Sequence, residues 1–159
     1  MHRNGYLLSI ALAALMSPVL CIAAHFGTVV PIGGHASDIA LDESRGVLYI
    51  ANFTANRIEV MSTADYSIRT SMNVAPQPGA LSISPDSKYL VAAHYGNFAG
   101  ADASRNAVTL INLTDNTRQT FSTGDTPLGL AFLADGRAFI VTSTGILLFD
   151  PISGAMQTV

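Results

Sequence analysis

Apolar and polar positions recur along this chain in one fixed order, three times over. From Ser37 to Thr70, an apolar stretch (Ile39-Ala40-Leu41) leads into an acidic turn (Asp42 to Gly46). A longer stretch (Val47 to Asn52), a third (Asn56 to Met61) and a weaker polar segment (Ser67 to Thr70) follow. Gly79 to Phe121 repeats the order with Leu81-Ser82-Ile83, the turn Ser84 to Lys88, Tyr89 to His94, Asn106 to Ile111 and Arg118 to Phe121. Leu128 to Val159 repeats it with Leu130-Ala131-Phe132, Ala134 to Arg137, Ala138 to Thr142, Gly145 to Asp150 and Ala155 to Val159. Each stretch has the length of a strand, not of a helix, and the repeat spacing of roughly forty to fifty residues is that of four-stranded propeller blades. The predicted fold class is therefore all-β: a beta-propeller of four-stranded antiparallel blades, about three of them, within residues 25–159. The blades are placed at approximately 37–75, 78–123 and 127–159, and residues 26–32 read as an outer strand belonging to a further blade.

Burial on both faces is written into the second stretch of each unit. Leu48-Tyr49-Ile50-Ala51 and Tyr89-Leu90-Val91-Ala92-Ala93 are continuous apolar runs without alternation, as a sheet covered on both sides requires. The first strand of each unit carries a small residue at a matched place (Ala40, Ser82, Ala131), which suits the crowded inner end of a wedge. The turns after it, Ser84-Pro85-Asp86-Ser87 and Ala134-Asp135-Gly136, supply a fixed φ and a side-chain acceptor for their own backbone. In an up-and-down meander, the links between blades and the links between second and third strands share one end. One face therefore gathers Gly33 to Ala36, Pro76 to Gly79 and Asp125 to Pro127 with Asn52 to Asn56, His94 to Asn106 and Ser143-Thr144, and the opposite face gathers the Asp-bearing turns. Loops on a rigid scaffold are where binding is usually built. The candidate binding residues on that face are His35, Asn52, His94, Tyr95, Asn97 and Asp102, the last three being in or beside the longest loop.

The first residues change the picture of where the chain works. Residues 1–24 have a short basic start (His2, Arg3), an apolar run from Leu7 to Ile22 and small residues at Ala23 and Ala24, which reads as a secretory signal peptide. A retained anchor is the rival reading, since the run approaches the ~20 residues of a membrane span. Pro18 and the small residues favour removal. Cys21 invites lipidation, but Leu20 stands where that signal wants a small residue. The expectation is an exported protein, periplasmic, secreted or on the cell surface, with no membrane insertion after cleavage. Cys21 is the sole cysteine, so the mature part has no disulfide even though the compartment would permit one.

Charge and motifs narrow the chemistry. Seven basic and eleven acidic residues follow the leader, with no basic cluster, so nucleic acid is not an expected partner. The charged fraction of 12% is about half the usual ~25%, in keeping with sheets covered by one another. His35 and His94, near Asp38 or Asp102, are the residues best suited to a metal or a proton, but they lack the close spacing of a metal motif, and no cofactor or metal is expected. No Gly-x-Ser-x-Gly elbow is present, and the glycine pairs are not followed by the Lys-Ser/Thr of a phosphate loop. Asp86 and Asp135 recur at equivalent turns, which marks them as fold determinants before catalysts.

The pattern Pro-x-Gly-x-x-x-Ser-Pro-Asp-x-x-x-x-Val from Pro78 to Val91, followed by Asn106 to Asn112, resembles the YVTN-type repeats of bacterial seven-bladed propellers. Leu48-Tyr49-Ile50-Ala51-Asn52 is similar to the motif that names that family, with Tyr49 at the aromatic position. The resemblance spans residues 27 to 159 and implies the fold more than any activity, since similar propellers include lactonases and haem-bearing electron-transfer enzymes. The Cys-x-x-Cys-His attachment of the latter is missing. With a bacterial source, the acceptor patterns Asn52-Phe53-Thr54 and Asn112-Leu113-Thr114 are chance matches. Closed propellers hold roughly four to eight blades, so three imply the N-terminal part of a longer protein, with the remaining blades of the same chain as partners. Two functions stay open. One is a non-catalytic exported module that presents loops to a protein or polysaccharide. The other is a lactonase-like hydrolase whose site needs further blades.

Overall fold

The computed structural model describes residues 27–95 and 106–159. The leader read at 1–24 lies outside the described residues, as do Asn97 and Asp102. Twelve strands form three four-stranded antiparallel sheets, each in sequential order. Blade 1 holds β1 (Ala36–Asp42), β2 (Val47–Asn52), β3 (Arg57–Ser62) and β4 (Ile68–Asn73). Blade 2 holds β5 (Pro78–Ile83), β6 (Tyr89–His94), β7 (Ala107–Asn112) and β8 (Arg118–Ser122). Blade 3 holds β9 (Pro127–Phe132), β10 (Ala138–Thr142), β11 (Ile146–Phe149) and β12 (Met156–Thr158). The described residues contain no helix.

The continuous apolar runs have a direct structural cause. In β6 and β7 successive side chains point to opposite faces, so Leu90, Ala92 and Ile111 pack into blade 1 while Val91, Ala93, Val108 and Leu110 pack into blade 3. The first interface joins them to Ala40, Tyr49, Ala51, Ile58, Val60 and Met72, and the second to Ala138, Ile140 and Phe149. Phe149 is fully buried and meets Phe121 of blade 2 with ring centroids 5.1 Å apart and the planes tilted by 59°. The inner strands are neighbours in series, β1 beside β5 and β5 beside β9, which places the small residues Ala40, Ser82 and Ala131 where the wedges converge. Polar atoms tie the inner strands: Ser37 Oγ donates to Pro78 O (2.6 Å), Leu81 N to Asp38 Oδ2 (2.8 Å), and Phe132 N to Ser82 Oγ (3.2 Å).

Inner strands start before their apolar triplets, because the pairing continues through a bulge at their first residues: the register shifts between Ala36 and Asp38, between Pro78 and Ala80, and beside Pro127. Residues 27–32, within the stretch 26–32 read as an outer strand of a further blade, have no strand partner among the described residues. This segment gives the Ile32 carbonyl to the side chain of Asn52.

Phe149→Ala should lower stability by about 3–5 kcal/mol, because it opens a cavity in the second interface where Phe121 cannot collapse inward. Urea unfolding monitored by far-UV circular dichroism measures this, and a loss under about 1 kcal/mol would show that the two blades do not share a packed core.

Candidate functional site

The last residue of the second strand is polar and buried in every blade: Asn52, His94 and Thr142. In blades 1 and 2 its job is to hold the segment that enters the blade. Asn52 Nδ2 donates to Ile32 O (3.0 Å) and to Glu59 Oε1 (3.1 Å), while Asn52 Oδ1 accepts from Ala55 N (3.2 Å). Glu59, itself buried, also accepts from Arg57 Nε at 2.6 Å. His94 does the same with different chemistry. Its Nδ1 lies 3.2 Å from Pro76 O, which can only accept, so Nδ1 carries the proton and Nε2 accepts from Thr109 Oγ1 at 2.7 Å. Thr109 Oγ1 then accepts from Thr120 Oγ1 at 3.1 Å, completing a one-way relay from Thr120 to the Pro76 carbonyl. Burial holds the His94 pKa down to about 4, against a weaker upward pull from the carbonyls of Pro76 and Ala75, so the ring is neutral at pH 7. In blade 3, Thr142 closes its own turn by donating to Gly145 O (3.1 Å).

One residue further on, the chain reaches the loop face by a bond repeated in all three blades. The amides of Phe53, Tyr95 and Ser143 donate to the carbonyls of His35 (2.8 Å), Gln77 (3.0 Å) and Thr126 (3.0 Å). The bulge at the start of each inner strand follows directly, so one rim at this end of the inner strands carries three copies of the same backbone device. Gln77 sits in left-handed backbone (φ 58°), held there by its amide bond to Asn56 Oδ1 (3.0 Å). Gly34 has no room for a side chain: a Cβ would overlap Asn52 Oδ1 and come within 2.8 Å of Thr54 Oγ1. The His35 amide is bonded to that same Thr54 Oγ1 at 3.1 Å. At blade 3, the Thr144 hydroxyl donates to the Asp125 carboxylate.

The structure therefore divides the residues selected from sequence. His35 is exposed on the rim and Tyr95 is half-buried there. Asn52 and His94 are not loop-face groups: both are fully buried, and their polar atoms are taken by the protein. The reason is that each ends a strand facing the neighbouring segment, where the Ile32 and Pro76 carbonyls await a donor. Gln77, Thr126, Phe53 and Ser143 were missed, although aligning the residues that follow Asn52, His94 and Thr142 would have found the second pair.

On the opposite face, the acidic turns satisfy themselves. Asp86 accepts from Ser84 Oγ (2.7 Å) and Lys88 N (3.1 Å), bonds that hold its carboxyl down to about 2. Arg137 Nη2 and Nε both bond Asp135 Oδ2 (2.6 and 2.9 Å). Asp42 is buried, which alone would raise its pKa, but Ser44 Oγ and Arg45 outweigh burial and hold the carboxyl low. Arg45 Nη1 also donates to Ser87 O of blade 2 at 2.6 Å, so this ion pair fastens two blades. No buried side-chain nitrogen or oxygen lacks a partner, and no three metal-binding groups converge, among the described residues.

Comparison with solved structures agrees with this architecture. No protein-family model matches the chain, and no curated protein matches it. The chain is similar in fold to hydrazine synthase of Kuenenia stuttgartiensis (TM-score 0.67, 18% identity, covering 86% of this chain and 38% of that one). It is also similar to the Cps50 (Swd1) beta-propeller domain of Myceliophteria thermophila (TM-score 0.64, 14% identity, 84% and 40%). Virginiamycin B lyase from Staphylococcus aureus is a third (TM-score 0.64, 18% identity, 83% and 43%). The chain thus spans about two fifths of the length of these structures, and at such identities the likeness is one of fold.

The buried neutral imidazole makes stability depend on pH. An unfolded histidine titrates near 6.5 and His94 in the fold near 4, so the unfolded chain binds more protons in between. Stability should be fully present above pH 6.5 and fall by on the order of 3 kcal/mol as the pH drops through 4. Melting temperatures across that window check it, and His94→Asn should flatten the part of the slope above pH 5. Separately, Thr109→Val should cost about 1–3 kcal/mol of stability in urea unfolding, because His94 Nε2 loses the Thr109 hydroxyl as its donor inside the blade.

Proposed function

We propose that this protein is an exported, non-catalytic propeller module that offers its loop-face rim to a protein or polysaccharide partner. One observation carries the reading: the same backbone bond recurs in three blades while the side chains mounted on it differ, as His35 with Phe53, Gln77 with Tyr95, and Thr126 with Ser143. A constant frame with changing decoration is how repeat scaffolds build recognition surfaces. The rim also combines two aromatic rings with an imidazole, an amide and hydroxyls, a mixture that suits a partner with apolar faces and hydrogen-bonding edges. The frame is stiff, because the groups beneath it, Asn52, Glu59, His94 and Thr109, are buried and hydrogen-bonded. The same commitment removes His94 from acid–base work, since its ring nitrogens already have partners.

Export follows from the basic start and apolar run of residues 1–24, and its test is the N-terminal sequence of the protein recovered from the periplasm or medium. For binding, Tyr95→Ala and Gln77→Ala should each weaken association with immobilised cell-envelope polysaccharide or envelope protein by about 10-fold. The melting temperature should move little, because both changes are made at the rim. Unchanged binding in both variants would refute the rim as the contact surface. Turnover of a lactone that survives Tyr95→Ala and is abolished by His94→Asn would instead establish the hydrolytic reading.

A further inference from the structure

His94 is a base sealed inside blade 2 with a line of hydroxyls leading out of it. The ring is fully buried, its Nε2 accepts from Thr109 Oγ1 on β7 at 2.7 Å, and Thr109 Oγ1 accepts from Thr120 Oγ1 on β8 at 3.1 Å. Thr109 is buried too, whereas Thr120 stands on the exposed outer strand, so the line begins at water and ends at the imidazole. Its hydrogens all point inward, because Nδ1 must donate to the Pro76 carbonyl and leaves Nε2 as the acceptor.

Such a line reverses without loss. Thr120 Oγ1 takes a proton from water at the surface and hands its own hydrogen to Thr109, and Thr109 hands its own to His94 Nε2. Each oxygen has then gained one hydrogen and lost one, and the positive charge rests on the ring. Afterwards Nε2 donates to Thr109, Thr109 to Thr120, and Thr120 to water. Every hydrogen bond is kept, so the cost of charging the ring is its desolvation, the dominant cause that holds its pKa near 4. The charge then shows at the other nitrogen. Nδ1 still donates to Pro76 O, now in a charge-assisted bond, which is shorter and stronger. Gln77 follows Pro76, Tyr95 follows His94, and the Tyr95 amide donates to the Gln77 carbonyl at 3.0 Å, so both members of the blade 2 rim pair adjoin the ring in the chain.

No charge on the packed elements competes for this proton. β5, β7 and residues 74–77 carry no ionisable side chain, and Arg118 of β8 bonds Asn116 at the far end of that strand. By alternation along β6, His94 shares the blade 1 face with Leu90 and Ala92. On that side Arg57 and Glu59 pair with each other, Arg69 donates to Ser62, and Asp38 is taken by the amides of Ile39 and Leu81. The titratable side chain next in sequence is the Tyr95 phenol. Burial, and the carbonyls of Pro76 and Ala75, set the proton affinity among the described residues.

We propose that Thr120, Thr109 and His94 form a reversible proton relay from the outer strand to the rim, which makes blade 2 an acid sensor whose output is the placing of Gln77 and Tyr95. Blades 1 and 3 have Asn52 and Thr142 where His94 stands, and neither side chain titrates. The proton is exchanged with water alone, so the relay serves no catalysis, and it stands whether or not the rim holds a partner.

Nuclear magnetic resonance of the isotopically labelled protein between about pH 7 and pH 3 tests it. The His94 ring signals should titrate with a midpoint near 4, and the Gln77 and Tyr95 amides should move with them while those of Phe53 and Ser143 stay. Far-UV circular dichroism and the methyl signals of Val91 and Val108 should remain native through that midpoint. Thr120→Val takes away the acceptor that the Thr109 hydrogen needs once Nε2 is protonated, so proton uptake should weaken about 10-fold. The urea midpoint at neutral pH should stay close to the native one, since Thr120 is exposed, and Thr120→Ser should restore the uptake. His94→Asn, the side chain that blade 1 uses at this place, should abolish the movement of Gln77 and Tyr95, and His94→Gln replaces it if that variant does not fold. A ring that titrates only as the methyl signals collapse would overturn the proposal. So would a midpoint unmoved by Thr120→Val, or movement of Gln77 that persists without the histidine.

Discussion

Everything in this molecule depends on a sheet being covered from both sides. A four-stranded blade of aliphatic residues cannot turn one face to water, because β6 and β7 alternate Leu90, Ala92 and Ile111 on one side with Val91, Ala93, Val108 and Leu110 on the other. The solution is to stack the sheets, small residues inward and polar strands outward. The low charge fraction then follows from geometry: only loops, outer strands and the rims remain to meet water.

Polar interactions in the interior answer a different problem. Linkers must cross from one blade to the next, and their carbonyls enter ground where water does not reach. Asn52 and His94 meet those carbonyls, and each is in turn bonded to a residue of the third strand, Glu59 or Thr109. An amide with a carboxylate in one blade and an imidazole with two hydroxyls in the next perform the same task, so the position needs a donor of the right reach more than it needs a particular side chain. Because burial disfavours the charged imidazole, blade 2 loses stability as His94 is driven to take up a proton in acid. On the opposite rim, Asp86 and Asp135 are consumed by their own turns, and Asp42 with Arg45 reaches across to the next blade.

Legibility in the sequence varied with the kind of signal. The strands β2, β6 and β10 coincide with the apolar runs Val47 to Asn52, Tyr89 to His94 and Ala138 to Thr142, since two-sided burial leaves an unbroken hydrophobic trace. The inner strands begin ahead of their apolar triplets, at Ala36, Pro78 and Pro127, because the bulges near Ser37, Gly79 and Leu128 carry the ladder beyond those triplets. Grouping the loops by strand direction anticipated the bonds from Phe53 to His35, Tyr95 to Gln77 and Ser143 to Thr126. It misjudged Asn52 and His94, since a polar residue at a strand end looks alike whether it faces water or a buried carbonyl.

What the chain determines by itself is the repeat: stretches of strand length, turns that cap themselves, and a fixed order of inner, middle and outer strands, all set by interactions among residues close in sequence. Only the tertiary structure decided which polar groups are frame and which are rim. The carbonyl that claims His94 comes from Pro76 and the hydroxyl from Thr109, 18 and 15 residues away on opposite sides. Partners that distant are brought together by the meander and the stacking of blades, and no local pattern of hydrophobic and polar positions carries that information.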